Sequence, residues 1–337
     1  MAQTGDPRLA EHMDSLRGAL LARGRATRAE LAADTGLSTM TVGKLLAAME
    51  LRGEVSQDEV QKAASGRPSV VARYRGEYAH FATVTASQRE GRSVIAFSVY
   101  NAFGERVHRS EQTPGDVRPE SFDAFFEQSA ARGERVKLAV FALPGEVRGD
   151  SLYISDFEAL MYGGFLPRIR ARYGVETLFE NDVNAAVFGH PFEEGEEEAV
   201  RAGVYFPRRF CPGAGIAIGD RILHGHGSFA GEIAFLHGPR AWAAVDFADA
   251  ERVERMISEV LTALACTVAP ESTVLYGDFF TDGLLRALEE RLRARFCGQF
   301  EMRLSWQSNI AQDMERGAHR MGLRALRALL RRLDENA

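Results

Sequence analysis

The sequence predicts an α/β protein that opens with a winged helix-turn-helix. Three observations predict it. Caps, turn and apolar spacing between residues 25 and 75 follow the order such a module needs. A strand-rich stretch starts at His80, and beyond it a strand meander followed by alternating strands and helices occurs twice, the pattern of an α/β domain with two related halves. At 337 residues the chain has the length of about two domains. The division read from these patterns is 1–76 for the winged helix and 77–337 for the rest. The rest divides into lobe one at about 77–185 plus the C-terminal helix, and lobe two at about 186–310.

An opening helix is expected over Pro7 to Ala22. Thr27-Arg28-Ala29-Glu30 has capping-box spacing, which predicts a helix from Arg28 to about Thr35. Gly36 supplies the turn, and Ser38 can cap the next helix by accepting a hydrogen bond from a free backbone N–H. In that helix Val42, Leu45, Leu46 and Met49 recur at i, i+3, i+4 and i+7 and form one apolar face. Ser38, Thr39, Met40, Thr41 and Lys44 lie at its N-terminal end and on the other face, where a recognition helix contacts the major groove. Gly53 ends the helix. Glu54-Val55, the basic tip at Ser65-Gly66-Arg67-Pro68 and Val70 to Tyr74 suit two short strands of a wing, with Arg67 a further candidate DNA contact. The alternative is a three-helix packing module without a DNA role.

Beyond the wing, Phe81 to Thr85 and Ser93 to Tyr100 read as strands, with Asn101 to Gly104 as the turn to a third. Ser121 to Arg132 reads as a helix, and the apolar run Val136 to Leu143 as a buried strand. A helix near Leu166 to Tyr173, a strand at Glu176 to Phe179 and a helix from Asn181 to about Gly189 follow. Ala202 to Phe206, Gly215 to Gly219 and Arg221 to Leu223 read as strands of the second half. From Asp249 the chain reads as helical except for a strand at Ser272 to Tyr276, and it ends in a helix with Leu323, Leu326, Leu330 and Leu333 as its apolar face. The acidic run from Glu193 to Glu198 reads as a solvated loop.

Composition restricts the function classes. No apolar run approaches the roughly 18 residues of a membrane span, so no membrane association is expected. Met1 to Asp14 is polar and unlike a signal peptide. Cys211, Cys266 and Cys297 are far apart, which suits reduced cytoplasmic thiols. The net charge is −6, whereas residues 1–80 hold 11 Lys/Arg against 10 Asp/Glu, or +1, which leaves −7 for the remainder. An acidic bulk repels DNA, so DNA contact should be confined to the N-terminal module.

Several segments then resemble a known family. Phe141-Ala-Leu-Pro-Gly145, Glu180-Asn-Asp-Val-Asn-Ala-Ala186, Gly213-Ala-Gly-Ile216, Gly231-Glu-Ile233 and Pro270 to Gly277 are similar, in that order, to signature segments of the ROK family of repressors, open reading frames and sugar kinases. With the winged helix in front, the chain resembles the repressor branch, typified by the xylose repressor. The resemblance implies a two-lobed actin/hexokinase-like (ribonuclease H-like) ATPase fold around a sugar cleft. It implies that Asn181, Asp182 and Glu232 bind ligand, with Phe235 standing where the family has a histidine.

The resemblance also marks departures. Thr83 to Gln88 lacks the Asp and glycines of the family's first phosphate turn, and Arg209-Phe210-Cys211-Pro212-Gly213 lacks the small residues of the second. Asp278 follows Gly277 where a second glycine is usual, and a carboxylate there repels phosphate. Gly238 to Trp242 contains no cysteine, and His237 alone cannot hold tetrahedral zinc, so neither metal nor other cofactor is expected. His224 and His226 read as surface or hydrogen-bonded histidines. The resulting expectation is a homodimeric DNA-binding regulator with an inactive kinase-like domain that senses a sugar-like effector on double-stranded operator DNA. The alternatives are an active sugar kinase with an appended DNA-binding domain, and a ligand-independent regulator whose large domain serves only for dimerisation. Asn181 and Asp182 could also merely cap a helix, and Glu232 could be a turn carboxylate.

Overall fold

The computed structural model describes residues 7–62, 68–89, 92–162, 164–193, 198–208 and 210–335. The N-terminal module consists of α1 (Pro7–Arg23), β1 (Arg25–Thr27), α2 (Arg28–Thr35), α3 (Thr39–Leu51), β2 (Val55–Lys62) and β3 (Pro68–Tyr74), with sheet order β1-β3-β2. The local signals act as expected. Thr27 and Glu30 form a reciprocal capping box, Gly36 closes α2 with φ of 70°, and Ser38 caps α3 by accepting from the Thr41 N–H. Val42, Leu45, Leu46 and Met49 are all buried. The short β1, absent from the sequence reading, completes the sheet by pairing with β3. Arg67 lies outside the described residues.

The next part runs β4 (His80–Arg89), β5 (Arg92–Tyr100), β6 (Arg106–Gln112), α4 (Asp123–Ala131), β7 (Val136–Leu143), β8 (Glu146–Arg148), β9 (Ser151–Ile154), α5 (Glu158–Met161), α6 (Phe165–Tyr173), β10 (Glu176–Asn181) and α7 (Asp182–Gly189). Then come β11 (Val200–Tyr205), β12 (Gly213–Ile218), β13 (Arg221–Ile222), α8 (Pro239–Ala243), α9 (Ala250–Val268), β14 (Ser272–Tyr276), α10 (Asp282–Arg295), β15 (Arg303–Gln307) and α11 (Ala311–Glu335). The two five-stranded sheets have orders β6-β5-β4-β7-β10 and β13-β12-β11-β14-β15. In each, the first three strands form an antiparallel meander, and the last two add parallel to the first. This is the twice-repeated pattern of the sequence, with β15 as a strand that the helical reading after Asp249 missed.

Between the sheets, α7 packs on β11 and β12 while α11 packs on β4 and β7, and the two helices cross. Their backbones touch at glycines. A Cβ at Gly317 would overlap the Ala185 carbonyl oxygen, and one at Gly189 would overlap the Asp313 carbonyl oxygen. No larger residue allows that approach. The far end of α11 packs on α1, so Met13, Leu16 and Leu20 share one apolar core with Leu326, Leu329 and Leu330.

A buried ion cluster secures this last contact. Arg17, only 2% exposed, donates to Glu54 at 2.5 and 3.3 Å and to Asp334 at 2.8 Å. Arg52 donates to the other Asp334 oxygen at 2.5 Å, and the Tyr74 hydroxyl donates to Glu54 at 3.1 Å. The expected apolar face of the final helix is corrected here. Leu333 is 48% exposed and Asp334 is buried in its stead, because the cation facing that turn is Arg17.

Removing one partner of a buried ion cluster leaves uncompensated charge. Asp334→Ala should therefore cost on the order of 3 kcal/mol and split thermal unfolding into two transitions, the N-terminal module melting first. Calorimetry reads this, and a single unshifted transition would remove Asp334 from the coupling. Gly317→Ala should lower the melting temperature more than Gly322→Ala does on Phe81, because a ring can shift where a helix carbonyl cannot. Equal melting temperatures for the two variants would argue against a rigid crossing.

Candidate functional site

The N-terminus of α7 faces an open cleft of about 890 Å³ including its mouth. Its lining comes from both sheets and the segments between them: Ser87 on β4, Asp156 after β9, Asn181 and Asp182, Tyr205 on β11, and Glu232. Pro144 and Gly145, at the end of β7, also line it.

Asn181 lines the cleft, and it also caps α7, its Oδ1 accepting from Val183 N at 2.9 Å and Asn184 N at 3.3 Å. Its amide donates to the Gly145 carbonyl at 3.3 Å, which ties α7 to the opposite wall. Asp182 is buried, 6% exposed, and accepts from the Val183 N–H at 2.9 Å. Burial pushes its carboxyl up to about 7, with the charge of Asp156 adding to the shift and the N–H groups of Val183 and its own backbone opposing it. Glu232 is half-buried. It follows Gly231, whose φ of 95° and contact with the Ala214 carbonyl no other residue could adopt without strain. Burial raises the Glu232 carboxyl as well.

Phe235 is placed elsewhere. It is 60% exposed, outside the cleft lining, and rests on Phe229 with ring centroids 5.5 Å apart. The short helical turn Ile233–Leu236 buries Ile233 and Ala234 and so turns Phe235 outward, which corrects the expectation that it meets a ligand.

Two acidic residues of this region escaped the sequence reading. Asp156 lines the cleft, its carboxyl pushed to about 6 by its protein surroundings and then by the charge of Glu232. Glu146, 7% exposed, sits beside the lining residue Gly145, and burial followed by the charges of Glu180 and Glu232 pushes it to about 8. Neither belongs to a sequence pattern, since each becomes a neighbour of Asp182 only through the β8–β9 hairpin. Behind them, Glu180 accepts from the Asn184 amide at 2.9 Å and pairs with His224 at 3.0 Å, so His224 is the hydrogen-bonded histidine its surroundings suggested.

Where the family resemblance calls for a phosphate turn, Thr83 to Ser87 continues as strand in register with β5. Asp278 is held by the Arg208 Nε at 2.7 and 2.9 Å. Phe210, Cys211 and Pro212 line the cleft, while Arg209 lies outside the described residues. Among the described residues no group of three or more His, Cys, Asp or Glu is arranged to hold a metal ion. No helix among them is long and apolar enough to cross a membrane.

On the N-terminal module, Ser38, Thr39, Met40 and Lys44 are exposed and Thr41 is partly so, side by side on the first turns of α3. The Ser38 and Thr41 hydroxyls are hydrogen-bonded at 2.8 Å.

Comparison with known proteins places these features. Residues 88–239 match the model of the ROK family. The chain also superimposes on a ROK family transcriptional regulator described as a homologue of the E. coli MLC protein. That match has 16% identity and a TM-score of 0.63, and covers 98% of this chain and 100% of the other. A ROK hexokinase from Thermus thermophilus (16% identity, TM-score 0.53) covers 74% of this chain and 99% of its own. A ROK family glucokinase from Streptomyces griseus, solved with glucose and AMPPNP (14% identity, TM-score 0.52), covers 73% and 99%. No curated protein matches by sequence. At these identities the structural likenesses establish the fold, which is the actin/hexokinase-like one the resemblance implied.

The raised carboxyls give a pH prediction. The folded chain keeps protons on Glu146 and Asp182 where unfolded carboxylates are ionised, so both groups cost stability as pH rises from the ordinary carboxylate range through about 7 to 8. Glu146→Gln should therefore raise the melting temperature at pH 8.5, with a gain that shrinks towards zero near pH 4.5. A gain independent of pH would show that Glu146 keeps an ordinary carboxyl.

Proposed function

We propose that this chain is a DNA-binding transcriptional regulator whose ROK domain senses a small, sugar-like ligand without phosphorylating it. Residues 1–76 are the DNA-binding domain and 77–337 the sensor and dimerisation domain. The observation that carries the reading is α3, whose first turns hold Ser38, Thr39, Met40, Thr41 and Lys44 out to solvent from a capped, wing-flanked helix. That is the geometry of a recognition helix in the major groove. The full-length likeness to a ROK transcriptional regulator, against about three-quarters of the chain for the ROK kinases, supports it.

A silent kinase site follows from charge. Phosphoryl transfer depends on backbone N–H groups and cations around the phosphates. Here the first loop is strand, Phe210 and Pro212 occupy the second, and Asp278 takes up Arg208. The regulator acts as a homodimer on a partly palindromic operator. The ligand biases the angle between the lobes, and α7 and α11 carry that bias to the winged helix. Such coupling requires only that the ligand prefer one lobe arrangement. The second reading, a sugar kinase with an appended winged helix, is favoured by Asp182, which stands buried at the cleft as a base for a sugar hydroxyl would.

Selection of bound fragments from random DNA, followed by anisotropy titration across salt concentrations, tests the first reading. Lys44→Ala should weaken binding and reduce the salt slope by about one unit while leaving the melting temperature unchanged. An unchanged slope takes Lys44 out of the interface, and no selected sequence at all would sink the regulator reading. ADP release on a hexose panel should stay at background. Turnover abolished by Asp182→Asn would establish the kinase.

A further inference from the structure

A second concavity, of about 630 Å³ including its open mouth, lies where the N-terminal module meets lobe one. Arg23, Gly24, Arg25, Arg73 and Tyr74 line it from the module, and Phe103, in the turn between β5 and β6, lines it from the lobe. Among the described lining residues none is acidic. Arg23 is already engaged, since both Asp34 oxygens accept from it, at 2.5 and 2.9 Å. Arg25 and Arg73 are exposed, and no described residue supplies either with a side-chain hydrogen bond or a carboxylate.

The strand register is the independent observation. Arg25 on β1 stands directly opposite Arg73 on β3, and the next pair, Ala26 and Ala72, is buried in the core of the module. Side chains alternate between the faces of a sheet, so the two guanidinium groups leave the same outward face. Residues opposite one another across antiparallel strands have Cβ atoms about 5 Å apart, and like charges there are destabilising. On its other side Arg73 meets Ser56 of β2, which brings no charge. The folded chain thus holds two uncompensated cations side by side in a hollow. A doubly charged oxyanion neutralises such a pair through the forked N–H donors of each guanidinium.

We propose that this hollow binds a phosphate-bearing small anion between Arg25 and Arg73, at the junction of the N-terminal module and lobe one. The DNA backbone is the other source of phosphate, and position argues against it. Ser56, beside Arg73, lies at the foot of the wing just beyond the C-terminal end of α3, whereas Thr39 and Met40 begin that helix. The 13 residues of α3 separate its two ends by about 20 Å. Tyr74 joins the hollow to the buried ion cluster: its ring lies against Phe103, centroids 5.8 Å apart, and its hydroxyl donates to Glu54. An anion held here therefore braces the junction that Arg17 and Asp334 anchor. The site shares no lining residue with the cleft beside Asp182 and does not depend on what that cleft holds.

Thermal unfolding of the full chain across a sodium phosphate series, against sodium chloride of equal ionic strength, tests this. Low ionic strength is best, since exposed charges are then least screened. A ligand that binds only the folded chain raises its melting temperature, so phosphate should raise it above the chloride value. Arg25→Gln and Arg73→Gln should each move the midpoint of the phosphate response at least about tenfold upward. In chloride each variant should melt no lower than the unaltered chain, because a repulsive pair has gone. Equal melting in the two salts, or a phosphate gain that persists in both variants, would overturn the site and leave a general salt effect. A variant that melts lower in chloride would overturn it too, by making the arginines supports of the fold. Anisotropy titration on the selected DNA separates the two sources of phosphate. A salt slope about one unit shallower in Arg25→Gln would place the pair on the DNA backbone and overturn the small-anion assignment. The regulator reading fails on a different measurement, the selection of bound DNA.

Discussion

The crossing of α7 and α11 at Gly189 and Gly317 is the constraint on which the rest of the molecule depends. Each glycine lies against a carbonyl oxygen of the other helix, so the two axes have no freedom to separate or slide without losing contact along their length. At one end of this pair, Asn181 and Asp182 open onto the cleft. At the other, α11 delivers Asp334 to Arg17 in the N-terminal module. A shift of one sheet against the other must be absorbed by this crossing or transmitted through it.

Buried acids are handled in two contrasting ways. Asp334 and Glu54 are saturated by arginines and a tyrosine hydroxyl, and Asp313, where α11 begins, by His190, Tyr276 and Arg316. These clusters hold position, since removing any partner strands a charge. Asp182 accepts only from backbone N–H groups and lines the cleft, with Glu146 buried nearby. The first arrangement is complete in the folded chain.

Much of the fold was legible in the sequence because its signals are local. The Thr27–Glu30 capping box, the Ser38 cap, the spacing of Val42 to Met49 and the apolar run of β7 each act within a few residues, and each appears where expected. The cleft was legible in part, through Asn181, Asp182 and Glu232. Glu146 and Asp156 were not, since nothing in their neighbourhood along the chain marks them, and a hairpin brings them to Asp182. Phe235 misled because alignment to a histidine position says nothing about which way a short helical turn faces. Asp334 was missed for a related reason: heptad-like spacing favours Leu333, and only a cation some 317 residues away draws the acid inward instead.

That separation of 317 residues has a consequence for biosynthesis. Chains emerge from the ribosome N-terminus first, and small modules fold as they appear. The core of α1, α2 and α3 is complete once β3 has emerged, and Arg17 then already holds Glu54. Its other partner, Asp334, is made only with the last turn of α11. The N-terminal module is thus folded long before it is anchored, and throughout translation of both lobes it rides as a tethered unit with part of its buried cation unpaired. Anchoring thus waits until both lobes have been made, and a chain truncated within α11 carries a formed N-terminal module without the Asp334 contact.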